Sequence, residues 1–252
     1  MIRPFALLLG LLQSPVPATA PDYPFKVGET LSYSAKLGMI TLGSGTLHVA
    51  AIDTVHGEES FRLRFQLEGK TVVYSLNDVL ESWVSTRNFT SRRFVQDFVE
   101  NDKPRYRLYE IFPDSGFYRE SDKAGKDTTH ATVAEPLDDA AFFYFVRITP
   151  LEVGKRYVFD RYFKKNKNPV IIEVLKREKM ELPDGRKVDC LVLHPIIDTK
   201  GLFSKRSDTR LWLTDDRNRL PVQIRTKFPF GTITLRLKDM VLPSGTTQTS
   251  GR

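Results

Sequence analysis

The sequence predicts a mainly β fold, in which a strongly curved antiparallel sheet or open β-barrel is wrapped around one aromatic-rich helix. Three observations predict this fold class. Apolar and polar residues alternate with a period of two along much of the chain, turn-forming residues separate the alternating segments, and a single segment has the composition of a buried helix. About twelve short strands would leave exposed edges, and a sheet that curves around a helix keeps those edges closed or covered.

The N-terminal segment has the pattern of a secretory signal peptide. Arg3 supplies a positive start, residues 4–12 are apolar, and Ala18 and Ala20 are small residues at the positions that signal peptidase requires. A membrane-spanning anchor needs roughly 20 apolar residues, and polar residues interrupt this segment well before that length. We therefore expect a signal peptide at residues 1–20, a mature chain that starts near Pro21, and export to the periplasm or outer envelope of a bacterium, with a soluble chain after cleavage.

The first strands follow from the period-two pattern. Apolar side chains occupy every second position of the first strand, at Leu31, Tyr33, Ala35 and Leu37. The pattern resumes at residues 47–51, turns near Gly57 and returns at 61–67, which indicates an antiparallel meander with one solvent-facing side. Further strands are predicted at residues 79–85, 92–99, 106–112 and 117–120. The polar segment 121–132 is predicted to be a loop.

One segment has the pattern of a helix, over residues 136–147. Pro136 suits the first helical turn, and Asp138 and Asp139 favour the positive end of a helix. The aromatic residues of the segment are Phe142, Phe143, Tyr144 and Phe145. A helix with so little polar surface packs against a sheet or lies in the concavity of one, so core packing is the simplest role for its aromatic side chains.

The strand pattern returns after Gly154. Strands are predicted at residues 156–162, 170–180, 187–193, 210–213, 222–228 and 232–240, with turns at 183–185, 215–219 and 229–231. No repeat period is present, so we expect one continuous domain over residues 21–242. Residues 243–252 are rich in Gly, Ser and Thr and are expected to form a disordered tail.

Charge and cysteine content restrict the partners and the source of stability. Lys and Arg number 38 against 31 Asp and Glu, which gives a formal net charge of +7 at pH 7. In the envelope, a basic protein meets anionic lipids and glycans rather than nucleic acid, and its charge also allows peripheral contact with a membrane. Cys190 is the only cysteine in the sequence. It cannot form an internal disulfide, and its apolar neighbours indicate a small buried side chain.

Several short motifs appear in a fixed order along the chain. They are residues 25–29, Leu37 with Gly38, the segment 137–147, residues 151–154, residues 211–216, residues 219–222 and the strand from Gly231. In this combination the chain resembles DUF3108, a family of exported bacterial proteins with a domain of unknown function. The resemblance covers nearly the whole mature chain and implies no reaction, cofactor or catalytic residue. By fold analogy alone, the chain also looks like the lipoprotein-carrying LolA and LolB folds, in which an incomplete β-barrel curls over a helix.

The sequence shows no catalytic apparatus. Its histidines lack His or Cys neighbours at the spacing of metal ligands, so neither a metal nor a cofactor is predicted. A nucleophile elbow and a phosphate-binding loop are both missing from the pattern. The adjacent carboxylates Asp138 with Asp139 and Asp215 with Asp216 fit helix capping and turn formation better than acid–base catalysis. We therefore expect a protein that is not an enzyme.

These observations favour non-enzymatic binding in the cell envelope, with a lipid-like or amphipathic envelope molecule as the ligand. The predicted site is the concave face beside the helix, with the loop at residues 198–208 near its mouth and basic residues at its rim. Its predicted ligand-binding residues are Phe142, Phe143, Phe145, Leu202, Phe203, Lys200, Lys205 and Arg206. The same loop could instead fold back onto the core, because exposed apolar pairs are disfavoured.

Two other functions remain open at this stage. A structural or assembly scaffold of the cell envelope needs no cavity, and tight packing of the helix on the sheet would favour it. A hydrolase would need a catalytic site assembled from distant strands, which local patterns do not reveal.

Overall fold

The computed structural model describes residues 21–72, 75–199, 202–228 and 231–243 of the chain. Within these residues the strands are β1 (Thr30–Leu37), β2 (Ile40–Val55), β3 (Glu58–Lys70), β4 (Ser75–Ser85), β5 (Ser91–Glu100), β6 (Lys103–Phe112), β7 (Phe117–Ser121), β8 (Asp127–Ala131), β9 (Arg156–Phe159), β10 (Val170–Glu181), β11 (Lys187–Ile196), β12 (Arg210–Thr214), β13 (Pro221–Phe228) and β14 (Gly231–Val241). The helix α1 (Asp139–Ile148) lies between β8 and β9 in sequence. None of the helices described has the length and apolar composition needed to cross a bilayer.

The strands form one antiparallel sheet, in which most strands pair with their neighbours in the chain. The order across the sheet is β8-β7-β6-β5-β4-β3-β2-β1-β14-β13-β12-β11-β10-β9. β1 pairs with β14, which brings Thr30 opposite Val241. Within the described ranges, β8 and β9 are edge strands that do not pair with each other. The predicted fold class, a curved open antiparallel sheet with one aromatic-rich helix, is confirmed.

Several boundaries differ from the predicted ones, and two of the differences have a local cause. The predicted loop at residues 121–132 contains β8, whose residues are all exposed, so no alternation of apolar and polar side chains marks this strand. The helix begins at Asp139 rather than at Pro136, because Asp138 is the N-cap. Residues 1–20 and 244–252 lie outside the described residues, so the signal peptide and the disordered tail stay predictions.

One carboxylate attaches the N-terminus of α1 to β4 and β5. Asp138 accepts hydrogen bonds from the backbone N–H groups of Ala140 and Ala141, each at 2.9 Å. Its second oxygen accepts from Ser82 Oγ at 2.5 Å and from Ser91 Oγ at 2.7 Å. The predicted capping role of Asp138 is therefore confirmed, and two strands supply the hydroxyl groups that satisfy this buried carboxylate.

Arg147 attaches the C-terminus of α1 to distant parts of the chain. Its Nη1 and Nη2 atoms donate to the two carboxylate oxygens of Glu29, at 2.5 and 3.0 Å. Nη2 also donates to the carbonyl oxygen of Pro24 at 2.9 Å, and Nε donates to that of Asn218 at 3.2 Å. The side chains of Arg147 and Glu29 are only 1% and 2% exposed, and a buried ion pair of this kind is stable only with such additional hydrogen bonds.

Aromatic side chains fill the space between the helix and the sheet. The ring centroid of Phe143 lies 5.0 Å from those of Phe65 on β3 and of Phe203 in the β11–β12 loop. Phe142 also packs on Phe203, at 4.6 Å. After β9, Phe163 reaches the inner faces of β5, β6 and β7, where it contacts three aromatic rings. Apolar packing thus bridges the gap between the two edges of the sheet, together with an isolated backbone bridge between Leu137 and Tyr162.

The two ends of the sheet differ in what they hold. The upper end carries the β2–β3, β4–β5, β6–β7, β10–β11 and β12–β13 connections, and the lower rim carries the β1–β2, β3–β4, β5–β6, β7–β8, β11–β12 and β13–β14 connections. The helix lies toward the upper end, because its N-cap contacts Ser91 at the upper start of β5 and Arg147 contacts Glu29 just before β1. Several strands extend past the helix to the lower rim.

One close backbone approach requires glycine. Gly43 on β2 pairs with Gly69 on β3, and a Cβ atom at Gly43 would lie 1.8 Å from the carbonyl oxygen of Glu68. At Gly45 the same atom would meet Leu235 at an ordinary 3.5 Å. We expect Gly43→Ala to lower the free energy of unfolding by about 1–3 kcal/mol and Gly45→Ala to have little effect. Denaturant unfolding checks this, and equal losses in both variants would contradict the close approach.

The buried N-cap makes stability depend on pH. Burial raises the pKa of Asp138 from 3.8 to about 6, although its four hydrogen bonds act in the opposite direction. The folded protein therefore keeps this proton at pH values where the unfolded chain has lost it. The resulting stability is fully present below the unfolded pKa and is lost as the pH rises through about 6.

Asp138→Asn removes this titration and keeps an acceptor for the two backbone N–H groups of the helix. We expect the Tm of the parent protein, measured relative to that of Asp138→Asn, to be higher near pH 4.5 than near pH 7.5. Thermal unfolding of both proteins across this range measures the difference. A difference that does not change with pH would show that this carboxyl titrates at its ordinary pKa.

Candidate functional site

The inner face of the sheet becomes less buried toward the lower rim. On β3, Leu63 and Phe65 are 0% and 6% exposed, whereas Leu67, two residues further along the same face, is half-buried. Strand pairing places Leu80 opposite Phe65 and Asp78 opposite Leu67. We call this lower part of the inner face the mouth. Its apolar residues are all half-buried and are Leu37, Leu67, Leu76, Leu80, Phe98 and Ile233.

The floor of the mouth is the aromatic layer beneath the helix. Phe143 contacts Phe65 and Phe203 in this layer, and the half-buried Leu202 packs against the core beside it. The carbonyl oxygen of Leu202 accepts from Ser207 Oγ at 2.7 Å, which holds the β11–β12 loop in its folded-back position. The loop thus covers the aromatic layer from below.

The structure divides the predicted ligand-binding residues into two groups. The aromatic residues Phe142, Phe143, Phe145 and Phe203 are at most 5% exposed. Lys205 and Arg206 are exposed in the turn that follows Phe203, whereas Lys200 lies outside the described residues. Phe203 therefore belongs to the floor and not to the edge of the site, because the loop folds back onto the core. Ligand binding by these residues stays a prediction.

One wall of the mouth is polar. Burial raises the pKa of Asp78 to about 6, and its Oδ1 atom is buried without a hydrogen-bond partner in the structure as described. On the neighbouring strands, Arg107 Nε lies 3.2 Å from Glu120 Oε1, and Lys164 Nζ donates to Tyr109 Oη at 3.2 Å. The mouth therefore offers leucines from β3 and β4 beside charged groups from β4, β6 and β7.

The carboxylate pairs noted in the sequence have structural roles. Asp139 is buried next to Asp138, burial raises its pKa to about 6, and the Tyr162 hydroxyl donates to it. Asp216 accepts a hydrogen bond from the backbone N–H of Asn218 in the β12–β13 turn, at 2.9 Å. Capping and turn formation, the predicted roles of the two pairs, are thus observed at Asp138 and Asp216.

Histidine and cysteine side chains contribute to packing and pairing. His48 shares a hydrogen bond with Thr30, and His56 lies 2.8 Å from Glu110. Cys190 is buried, and burial raises the pKa of its thiol to about 12, so it is the small buried side chain that its neighbours predict. In the part of the chain that the structure describes, no group of three or more His, Cys, Asp or Glu side chains is placed to hold a metal ion.

Two depressions on the outward face of the sheet share Arg64 and have volumes of about 340 and 660 Å³. Their polar groups largely bind one another. Arg93 Nη2 lies 2.6 Å from Glu110 Oε1, and Trp83 Nε1 donates to Asp53 Oδ2 at 2.8 Å. Cross-strand pairing of charged side chains accounts for these groups, so the mouth is the better candidate site.

The sequence patterns do not identify Leu67, Leu80 or Asp78 as site residues. Alternation places Leu67 on the same face as Phe65, but it does not show where along the strand the helix stops covering that face. The predicted strand starts at residue 79, whereas β4 starts at Ser75 and includes Asp78 on its inner face. A carboxylate at an inward position of a strand is the signal that could have pointed to this wall.

Comparison with solved structures supports the fold. A β-barrel-like protein of domain of unknown function DUF1849 from Brucella abortus, known from its crystal structure, matches with a TM-score of 0.58 and 9% sequence identity. The match covers 87% of this chain and 99% of that one. At this identity the likeness shows the fold alone.

Comparison with sequences identifies the family. No curated protein matches the chain. The family model described as "Protein of unknown function (DUF3108)" matches residues 32–238, which is most of the chain and includes the helix, the mouth and every strand of the sheet in whole or in part. The chain therefore belongs to the DUF3108 family.

Proposed function

We propose that this protein is a non-enzymatic binding protein of the bacterial cell envelope, and that it takes an anionic amphipathic molecule, such as a lipid, at the mouth. The observation that carries the proposal is the set of half-buried apolar side chains that continues the core below the helix. The predicted signal peptide supports the envelope location.

The apolar half of the proposed site comes from β1, β3, β4, β5 and β14. Leu67 and Leu80 pack against the core on one side and keep part of their surface open at the mouth. Full burial of a leucine side chain contributes about 1.5–3 kcal/mol, so an acyl chain that covers these residues gains binding free energy at each of them. Apolar walls with few polar groups are typical of sites for such ligands.

The charged half of the proposed site comes from the lower rim. Lys36, Lys70, Lys205 and Arg206 are exposed there and form no ion pair within the ranges that the structure describes. Their field attracts an anionic head group. An anionic glycan would contact the same cations but has no apolar chain to cover the leucines. A lipid-like molecule therefore fits the mouth better.

A structural scaffold of the envelope is the second candidate, and the packing of the helix favours it. Phe142, Phe143 and Phe203 are each 1% exposed. The rings of Phe142 and Phe143 both contact that of Phe203 in the layer beneath the helix. A protein whose interior is filled in this way can hold partners together without a ligand.

Phe143→Ala tests whether the aromatic layer is core. The ring is packed between Phe65 and Phe203, so we expect its removal to lower the free energy of unfolding by about 3–5 kcal/mol. Denaturant unfolding measures the change. A much smaller loss, accompanied by loss of bound lipid, would show that the ligand site extends up to the helix.

Leu67→Gln tests the mouth. We expect mass spectrometry to recover lipid with the parent protein purified from the envelope, and about tenfold less lipid with Leu67→Gln, because a polar amide replaces apolar contact surface. Leu175→Gln is the matched control, since Leu175 is 42% exposed on β10 in the other half of the sheet. A parent protein that carries no lipid, with Leu67→Gln folded normally, would contradict the proposal and favour the scaffold.

A further inference from the structure

The most exposed large apolar side chains of the described residues lie on two hairpin tips of the lower rim. Met39 and Ile40, in the β1–β2 hairpin, are 98% and 66% exposed, and Val72, in the β3–β4 connection, is 103% exposed. The next value is 56%, at Val241. Hairpin tips usually carry Gly, Asn, Asp or other polar residues, and none of these three side chains contributes to the core.

The two tips lie side by side. β2 and β3 are adjacent strands, and the close approach of Gly43 to Gly69 fixes their register just above the tips. Ile40 and Val72 each lie three residues beyond this glycine pair, which corresponds to roughly 10 Å of extended chain. Residues that are far apart in sequence therefore lie on neighbouring tips, which we call the tip pair and define as Met39, Ile40 and Val72.

Cations accompany the tip pair on the lower rim. Those of the flanking strands and of the β11–β12 loop are exposed and form no ion pair among the described residues, and they are Lys36, Lys70, Lys205, Arg206 and Lys227. Some cations of the upper end are paired instead. Arg177 and Arg186 in that half of the molecule lie 2.6 and 2.7 Å from Asp215 and Asp184.

We propose that the lower rim is a docking surface for an anionic phospholipid bilayer. The tip pair enters the boundary between head groups and acyl chains, and the accompanying cations lie against the anionic head groups. Exposed apolar side chains beside basic residues are the combination that holds a peripheral protein at such a membrane. The inference rests on the proposed function in one respect, because the bilayer on which the rim docks is the source of the amphipathic molecule for the mouth.

Vesicle sedimentation tests the docking surface. We expect the mature protein to sediment with vesicles of equal parts phosphatidylglycerol and phosphatidylcholine and to remain in solution with phosphatidylcholine alone. The double variant Met39→Ser and Val72→Ser should show about a tenfold lower partition coefficient on the anionic vesicles. The double variant Lys36→Gln and Lys70→Gln should bind less and lose much of the salt dependence.

The matched control is the double variant Val158→Ser and Val241→Ser, which removes two valines that are 52% and 56% exposed away from the tip pair. It should bind vesicles like the parent. A parent protein that does not sediment, a tip variant that binds like the parent, or a control that loses as much binding would each overturn the proposal. Loss of a crosslinked protein partner in the tip variant, with no vesicle binding by the parent, would also overturn it and assign the rim to that partner.

Vesicle sedimentation and lipid uptake distinguish a wrong docking surface from a wrong ligand site at the mouth. Leu67→Gln should sediment with anionic vesicles like the parent while carrying less lipid. The tip variant should still take up detergent-dispersed phosphatidylglycerol, because its mouth is unchanged. Vesicle binding without any lipid uptake would leave the docking surface standing and contradict the proposed function.

Discussion

The ion pair between Arg147 and Glu29 is the interaction on which the arrangement of the sheet depends. A guanidinium group removed from water needs charged and polar partners, and Arg147 takes them from separate parts of the chain. Glu29 precedes β1, Pro24 lies in the N-terminal segment, and Asn218 lies in the β12–β13 turn. Together with the N-cap at Asp138, which takes its hydroxyl partners from β4 and β5, this pair holds the helix across the upper end of the sheet. Strands from both halves of the chain must therefore curve around the same helix.

This position of the helix explains why the two ends of the sheet differ. Near the upper end, aromatic side chains of the helix fill the interior, and Phe203 of the β11–β12 loop reaches them from the lower rim. Toward the lower rim the strands extend past the helix and the folded-back loop, and the inward side chains of Leu67 and Leu80 stay half-buried. The same lower rim carries apolar tips and cations without ion pairs. The proposed ligand site and the proposed membrane-docking surface both follow from this asymmetry.

The fold of this protein does not by itself reveal its function. Membership of the DUF3108 family and the likeness to a DUF1849 protein support the β-barrel-like fold, but neither supplies a reaction or a ligand. The groups that might suggest catalysis have structural partners: Asp138 caps the helix, Asp216 forms a turn, and Cys190 is buried with a raised pKa. The half-buried leucines of the mouth, the tip pair and the exposed lysines of the lower rim have no such structural role. For this reason the proposals concern binding.

Local patterns in the sequence determined the elements whose residues have strong local preferences. Alternation located most of the strands, the acidic pair Asp138 and Asp139 indicated the helix N-terminus to within a few residues, and Gly185, with a φ of 83°, marked the β10–β11 turn. Only the tertiary structure decided the rest. β8 has no alternation because all its residues are exposed, and the loop with Phe203 folds inward because α1 offers an aromatic surface. Met39 and Val72 lie on neighbouring hairpin tips because β2 pairs with β3. The physical reason is that a period-two pattern records which face of a strand is buried, whereas the extent of that burial depends on distant residues that cover the face.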